Sequence, residues 1–151
     1  MAVSNVEGFS TLYLNPYSVA HSLHQDTFGK SREELRIEVT TLDSYFERLE
    51  WPSVNVVKMD IEGAEPNALM GMKGLIGKNP DLVLILEYVP EILERAGMKP
   101  DSLLSEIRSL GFEIFLITPD SGELECFSNE TAFRKGLRAE LLCERKGSVV
   151  P

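Results

Sequence analysis

The sequence predicts an α/β domain: a mostly parallel sheet with flanking helices, closed by a reversed strand near the C-terminus. Three observations carry this. Short aliphatic and β-branched runs recur at 54–59, 81–87 and 112–117, the pattern of strands buried on both faces. Between them lie segments with apolar residues at helical spacing. The first run also ends abruptly, in Asp60, Glu62 and Gly63, with a helical pattern following at once. In open α/β sheets, ligands sit outside the carboxyl ends of such strands.

In chain order, residues 1–5 read as the tail of a strand and Glu7-Gly8 as a turn. Phe9 to Leu14 reads as a strand with one ambiguous face, ended by Asn15-Pro16. No period is visible from Tyr17 to Glu34, and a composition rich in Ser, His, Gln and Gly reads as a loop. Leu35 to Val39 alternates and reads as a half-buried strand. Thr40 and Asp43 have the spacing of a capping box. Leu42, Tyr45, Phe46 and Leu49 then make one helical stripe, broken at Trp51-Pro52. After the strand from Val54 to Met59, a helix from Pro66 to Ile76 should bury Ala68, Leu69, Met72, Leu75 and Ile76 and stop at Gly77. The run at 81–87 is the next strand. Helices from Pro90 to Ala96 and from Pro100 to Leu110 follow, the second with Leu103, Leu104, Ile107 and Leu110 as its stripe. Phe112 to Ile117 is a strand, Pro119 to Gly122 a turn, and Glu123 to Phe127 the far arm of a hairpin. Arg138 to Cys143 is the last strand, before a polar tail that should fray.

The 151 residues fit one domain with a real core. Lys plus Arg is 15 and Asp plus Glu is 24, a net charge of −9. That argues against a nucleic-acid backbone or an anionic membrane surface as the main partner. No run is long enough to span a membrane, and a cytoplasmic setting with reduced thiols is the expectation. Cys126 and Cys143 have no metal-ligand spacing, so a zinc site is not expected, and Cys143 reads as a core residue. Asn129-Glu130-Thr131 matches a glycosylation acceptor, which means little without a secretion pattern.

Asp60 and Glu62 are the first candidates for chemistry. Set against that, acids after a strand often only cap the next helix, and Glu65 with Pro66 fits the capping role. Glu87 ends the second run and either faces the same cleft or pairs with a local cation. Asp60, Glu62 and Glu65 together offer oxygen ligands of the kind that suit Mg²⁺ or Ca²⁺. His21 and His24 are three apart and could share a helical face as a metal pair or base. They read better as solvated loop residues.

The run Val57-Lys58-Met59-Asp60-Ile61-Glu62-Gly63-Ala64-Glu65 resembles the FkbM-type methyltransferases, which depend on S-adenosylmethionine and have a Rossmann-like sheet. Supporting pieces are Ala2-Val3-Ser4 with Glu7-Gly8, Thr41 to Phe46, Gly71, Leu75, Pro80 and the strand to Glu87. The resemblance implies that the strand from Val54 to Met59 is the fourth of that sheet. It implies catalytic roles for Asp60 and Glu62, cofactor contacts from Ser4 and Asp60, and substrate contacts from Glu62 and Glu87. The reaction implied is O-methyl transfer to a hydroxyl of a sugar, lipid or secondary metabolite, with the carboxylate accepting the hydroxyl proton. The family's glycine-rich cofactor loop has no counterpart in the 151 residues. The resemblance is therefore to the C-terminal portion of such an enzyme, inactive alone, within a partial Rossmann-like sheet. The strand from Val54 to Met59 would then present a bare edge to a second copy or to a missing N-terminal half. The alternative is a non-catalytic partner-binding or structural module that kept the sheet.

Overall fold

Alternating runs need a partner on each side, and here they sort into two sheets. The computed structural model describes residues 1–15, 21–25, 33–128, 132 and 136–145. The first sheet has the order β1-β3-β2, from β1 (Ala2–Val3), β2 (Gly8–Leu14) and β3 (Glu33–Thr40). β2 runs antiparallel to β3, from Gly8 opposite Val39 to Leu14 opposite Glu33, and β1 lies parallel on the other side of β3. Neither face of β2 is fully buried from Ser10 to Leu14, and at its start the Phe9 ring lies open to solvent under the Arg36 guanidinium, 4.1 Å from the ring centroid.

The second sheet contains β4 (Val56–Met59), β5 (Val83–Tyr88), β6 (Phe112–Ile117), β7 (Leu124–Cys126) and β8 (Ala139–Arg145), in the order β4-β5-β8-β6-β7. Only β4 and β5 pair in parallel; the other ladders are antiparallel. The expected mostly parallel sheet is therefore a mixed one. β4, β5 and β6 do run the same way, but the reversed β8 inserts between β5 and β6 and turns both of its ladders antiparallel. The expected hairpin and closing reversed strand are present as β7 and β8.

Burial along β5 alternates strictly. Leu84, Leu86 and Tyr88 are buried; Val83, Ile85 and Glu87 are half-buried. The buried face continues through Leu141 and Cys143 of β8 and Phe112 and Ile114 of β6, packed with the apolar stripes of the helices in one core. Among the described residues, nothing covers the other face to the same degree. The strand from Val54 to Met59 was expected to be buried, yet only Met59 is, and Val56 is 55% exposed. β4 is the edge of the sheet, and its second face is open.

The helices lie where the stripes put them, with three differences in their ends. α1 (Leu42–Arg48) is capped by Thr41, whose hydroxyl accepts from the Ser44 N–H at 2.9 Å. Asp43 makes no capping box with Thr40. Its carboxylate instead accepts from the N–H groups of Gly74 (2.8 Å) and Leu75 (2.7 Å), in the first turn of α3. One helix thus caps another.

The single helix expected from Pro66 to Ile76 is two, α2 (Glu65–Met70) and α3 (Lys73–Lys78), separated at Gly71. The Ser4 carbonyl passes so close that a Cβ at Gly71 would lie 2.3 Å from its oxygen. Gly77 lies inside α3, and Asn79 ends it. The Asn79 side chain donates to the Leu75 carbonyl (2.8 Å) and accepts from the Val54 N–H (2.9 Å), which ties the helix end to the entry of β4. α4 (Pro90–Arg95) and α5 (Pro100–Ser109) follow the sequence reading. The polar tail from 146, the acceptor motif at 129–131 and much of the 17–34 stretch lie outside the described residues.

Gly71→Ala forces a backbone carbonyl to move, so it should destabilise the domain by about 1–3 kcal/mol, read as a lowered urea midpoint. An unchanged midpoint would remove the close approach as the reason for the helix break.

Candidate active site

The chain leaves β4 at Asp60 and reverses within four residues. Glu62 and Gly63 both adopt positive φ, 55° and 93°. At Gly63 a side chain would also be crowded, because a Cβ would meet Ile92 at 3.1 Å and Ala96 at 3.2 Å. At Glu62 the left-handed backbone carries a real cost, about 1–3 kcal/mol for a non-glycine residue. Two contacts hold it. The Glu65 carboxylate accepts from the Ile61 and Gly63 N–H groups, both at 3.0 Å, and the Ser22 hydroxyl donates to the Glu62 carbonyl at 2.9 Å.

The result is a trio of acids at the carboxyl ends of the two parallel strands. Met59 pairs with Leu86, so Asp60 comes beside Glu87 on the open face of the sheet. One carboxylate oxygen from each of Asp60, Glu62 and Glu87 lies within 4.8 Å of the others. Burial pushes the Glu62 carboxyl up to about 7, helped by the charges of Glu87 and Asp60 and opposed by Arg138. Its Oε2 is shut off from solvent with no hydrogen-bond partner. Glu87 is raised as well, first by burial and then by Asp60, while Arg138 Nη1, 3.5 Å from Glu87 Oε1, pulls it down. On the same face Lys58 Nζ meets Glu140 Oε1 at 3.1 Å.

Asp60 and Glu62 line a cleft of about 440 Å³ whose opposite wall comes from Val3 of β1, Leu12 of β2, His21 and Leu23. Glu87 does not line this cleft; it lines a neighbouring hollow of about 420 Å³, shared with Arg138 and Thr118. The structure thus brings together three of the acids singled out from sequence. It does not bring Ser4 to them. Ser4 is 8% exposed, its carbonyl is against Gly71, its hydroxyl donates to Asn5 Oδ1 at 3.3 Å, and it is absent from the cleft lining among the described residues. Glu65 turns back into the loop, so the third acid beside Asp60 and Glu62 is Glu87.

The histidines differ most from their sequence reading. They lie on no common helix: Ser22 between them forms a bridge with Tyr13, through backbone hydrogen bonds of 2.8 and 3.2 Å. Both lie outside helix and strand, as expected, but neither is fully solvated. His24 is half-buried, and burial holds its pKa below the ordinary value. His21 is half-buried and lines the cleft with the acids. Nothing in the local pattern of 17–25 signals this, since the bridge to β2 depends on tertiary pairing.

A family profile described as the methyltransferase FkbM domain matches residues 1–114. The chain belongs to the FkbM methyltransferase family, and the acidic corner after β4 and the strand bearing Glu87 fall inside the match. Neither the curated proteins nor the solved structures gave a match. No helix among the described residues is long and apolar enough to cross a membrane.

The raised carboxyl of Glu62 has a signed consequence for stability. The folded state keeps a proton that the unfolded chain, with its carboxyl at 4.5, releases earlier. The contribution of Glu62 is thus fully present below pH 4.5 and is lost as pH rises through about 7. Glu62→Gln should therefore stabilise the protein at pH 8 by about 1 kcal/mol, allowing for solvent screening of a half-exposed group, and much less at pH 4.5. Urea midpoints at the two pH values measure this; equal changes at both would refute it.

Proposed function

We propose that this corner is the acceptor side of an S-adenosylmethionine-dependent O-methyltransferase site, acting on a hydroxyl of a sugar, lipid or secondary metabolite. The observation that carries the reading is the convergence of Asp60, Glu62 and Glu87 at the carboxyl ends of β4 and β5, with Glu62 held near 7. A general base works best when its pKa lies near the operating pH. Glu62, with one oxygen desolvated and unpartnered, takes the hydroxyl proton as the methyl group arrives. Asp60 shares that role at the more exposed rim. Glu87, bridged to Arg138, orients the acceptor.

The same cleft supports only part of a cofactor site. Its carboxylates suit the hydroxyls of a ribose, and Asp60 is the better placed of the two expected cofactor contacts. Ser4 would reach a cofactor only if its segment left Gly71. The glycine-rich loop used by this class does not occur in the 151 residues. The free edge of β4 and the open face beside it support the reading that further chain pairs there, either a second copy or a segment outside these residues.

Transfer of a tritiated methyl group from S-adenosylmethionine to a panel of sugar and alcohol acceptors tests the proposal. The rate should climb with pH through about 7. Glu62→Gln should lower it roughly 10²-fold or more and abolish that limb, whereas Glu87→Gln should act chiefly on KM. A Glu62→Gln protein with undiminished kcat would overturn the assignment. Failure to methylate any hydroxyl, alone or with a partner at β4, would favour the non-catalytic module.

A further inference from the structure

We propose that His21 is a substrate-positioning residue that donates a hydrogen bond from Nε2 to a second hydroxyl of the acceptor, so that the cleft selects vicinal diols. This rests on the acceptor-side reading above and narrows it.

The first ground is the tautomer. The Asn15 backbone N–H donates to His21 Nδ1 at 3.1 Å. An amide N–H only donates, so Nδ1 presents its lone pair, and the neutral ring carries its proton on Nε2. In the neutral ring the nitrogen not engaged by Asn15 is therefore a donor. A neutral His21 in this hydrogen bond cannot be the base at Nε2; that work falls to the carboxylates.

The second ground is the fastening. His21 sits next to Ser22, which is bridged to Tyr13 by two backbone hydrogen bonds. The Ser22 hydroxyl donates to the Glu62 carbonyl at 2.9 Å and accepts from the His24 N–H at 3.1 Å. The turn that carries Glu62 and the segment that carries His21 are thus tied by a single side chain. Donor and acceptors are held in one frame, as a positioned site requires.

The third ground is complementarity. Ionised Asp60 and Glu62 can only accept hydrogen bonds. They can take the proton of the hydroxyl being methylated, but they offer nothing to the oxygen of its neighbour. His21 Nε2–H supplies that missing donor. Glu62 Oε2, buried in the same corner, takes no hydrogen bond from it or from any other group among the described residues. A cleft of about 440 Å³ holds one substituted six-membered ring. A mono-alcohol would leave the donor unpaired in a half-buried place, which costs binding.

The test uses the 151-residue chain with cyclohexane-1,2-diol and cyclohexanol as probes. Long-range ¹H–¹⁵N spectra at pH 8 should show Nε2 of His21 protonated and Nδ1 not. Binding, followed on the His21 ring signals and on the amides of Asp60 to Gly63, should favour the diol over the mono-alcohol by roughly fivefold. His21→Leu should abolish the preference, and His21→Gln, which keeps a donor at similar reach, should restore it. The opposite tautomer, or a preference that survives His21→Leu, overturns the proposal. Binding of neither probe overturns the diol assignment alone if the chain still methylates a mono-alcohol; loss of that activity too would count against the acceptor-side reading.

Discussion

The shape of the acidic corner depends on a buried carboxylate whose two oxygens are both engaged by backbone amides. Glu65 is 3% exposed and accepts hydrogen bonds from the Ile61 and Gly63 amides, both at 3.0 Å. Charge-assisted bonds of this kind contribute about 1.5–3 kcal/mol each, enough to offset the cost of placing Glu62 in the left-handed region. Without that clamp the Ser22 hydroxyl on the Glu62 carbonyl is left to hold the turn, and the Glu62 carboxylate is less firmly directed toward Asp60 and Glu87. Strain at Glu62 and satisfaction at Glu65 are two sides of one turn.

The rest of the structure brings this turn to a useful place. β4 and β5 run in parallel, so their carboxyl ends lie side by side and each delivers an acid to the same corner. The mixed order of the sheet does not disturb this, because β8 enters on the far side of β5. It adds to it: the start of β8 brings Arg138 to Glu87 and Glu140 to Lys58. As exposed ion pairs these contribute under about 1 kcal/mol to stability. Their larger effect is on charge, since Arg138 holds both Glu62 and Glu87 below where burial alone would set them.

Much of this was legible in the residues, and the misses share a cause. The strands, the hairpin, α4, α5 and the acidic corner follow from local period and turn chemistry. Gly71 and Asp43 differ from their sequence reading because their partners are distant in sequence: the Ser4 carbonyl and the first turn of α3. Each looks locally like something else, a helical glycine and a capping-box acid. Gly77 reads as a helix stop because nothing local signals that Asn79 reaches the Val54 amide. β4 looked buried because its composition is apolar, but composition does not say whether a neighbour exists to cover the second face. The place of His21 was illegible for the same reason. Its place is set by a bridge between Ser22 and β2, and nothing within 17–25 encodes that pairing.

Three glutamates near one another, all raised by burial, differ in what each one touches. Glu65 has both oxygens engaged by amides, so its charge is tied to the backbone and unavailable. Glu87 has an arginine at 3.5 Å, which favours its ionised form and leaves it suited to orienting a ligand. Glu62 alone has an oxygen that is desolvated and unpartnered. Such an oxygen is poorly stabilised as an anion and gains most from a proton or a hydroxyl donor. The side chain best able to take a proton is therefore the one the fold satisfies least. The neighbours that hold it there, Glu65 through the backbone and Ser22 through the Glu62 carbonyl, leave its carboxylate free.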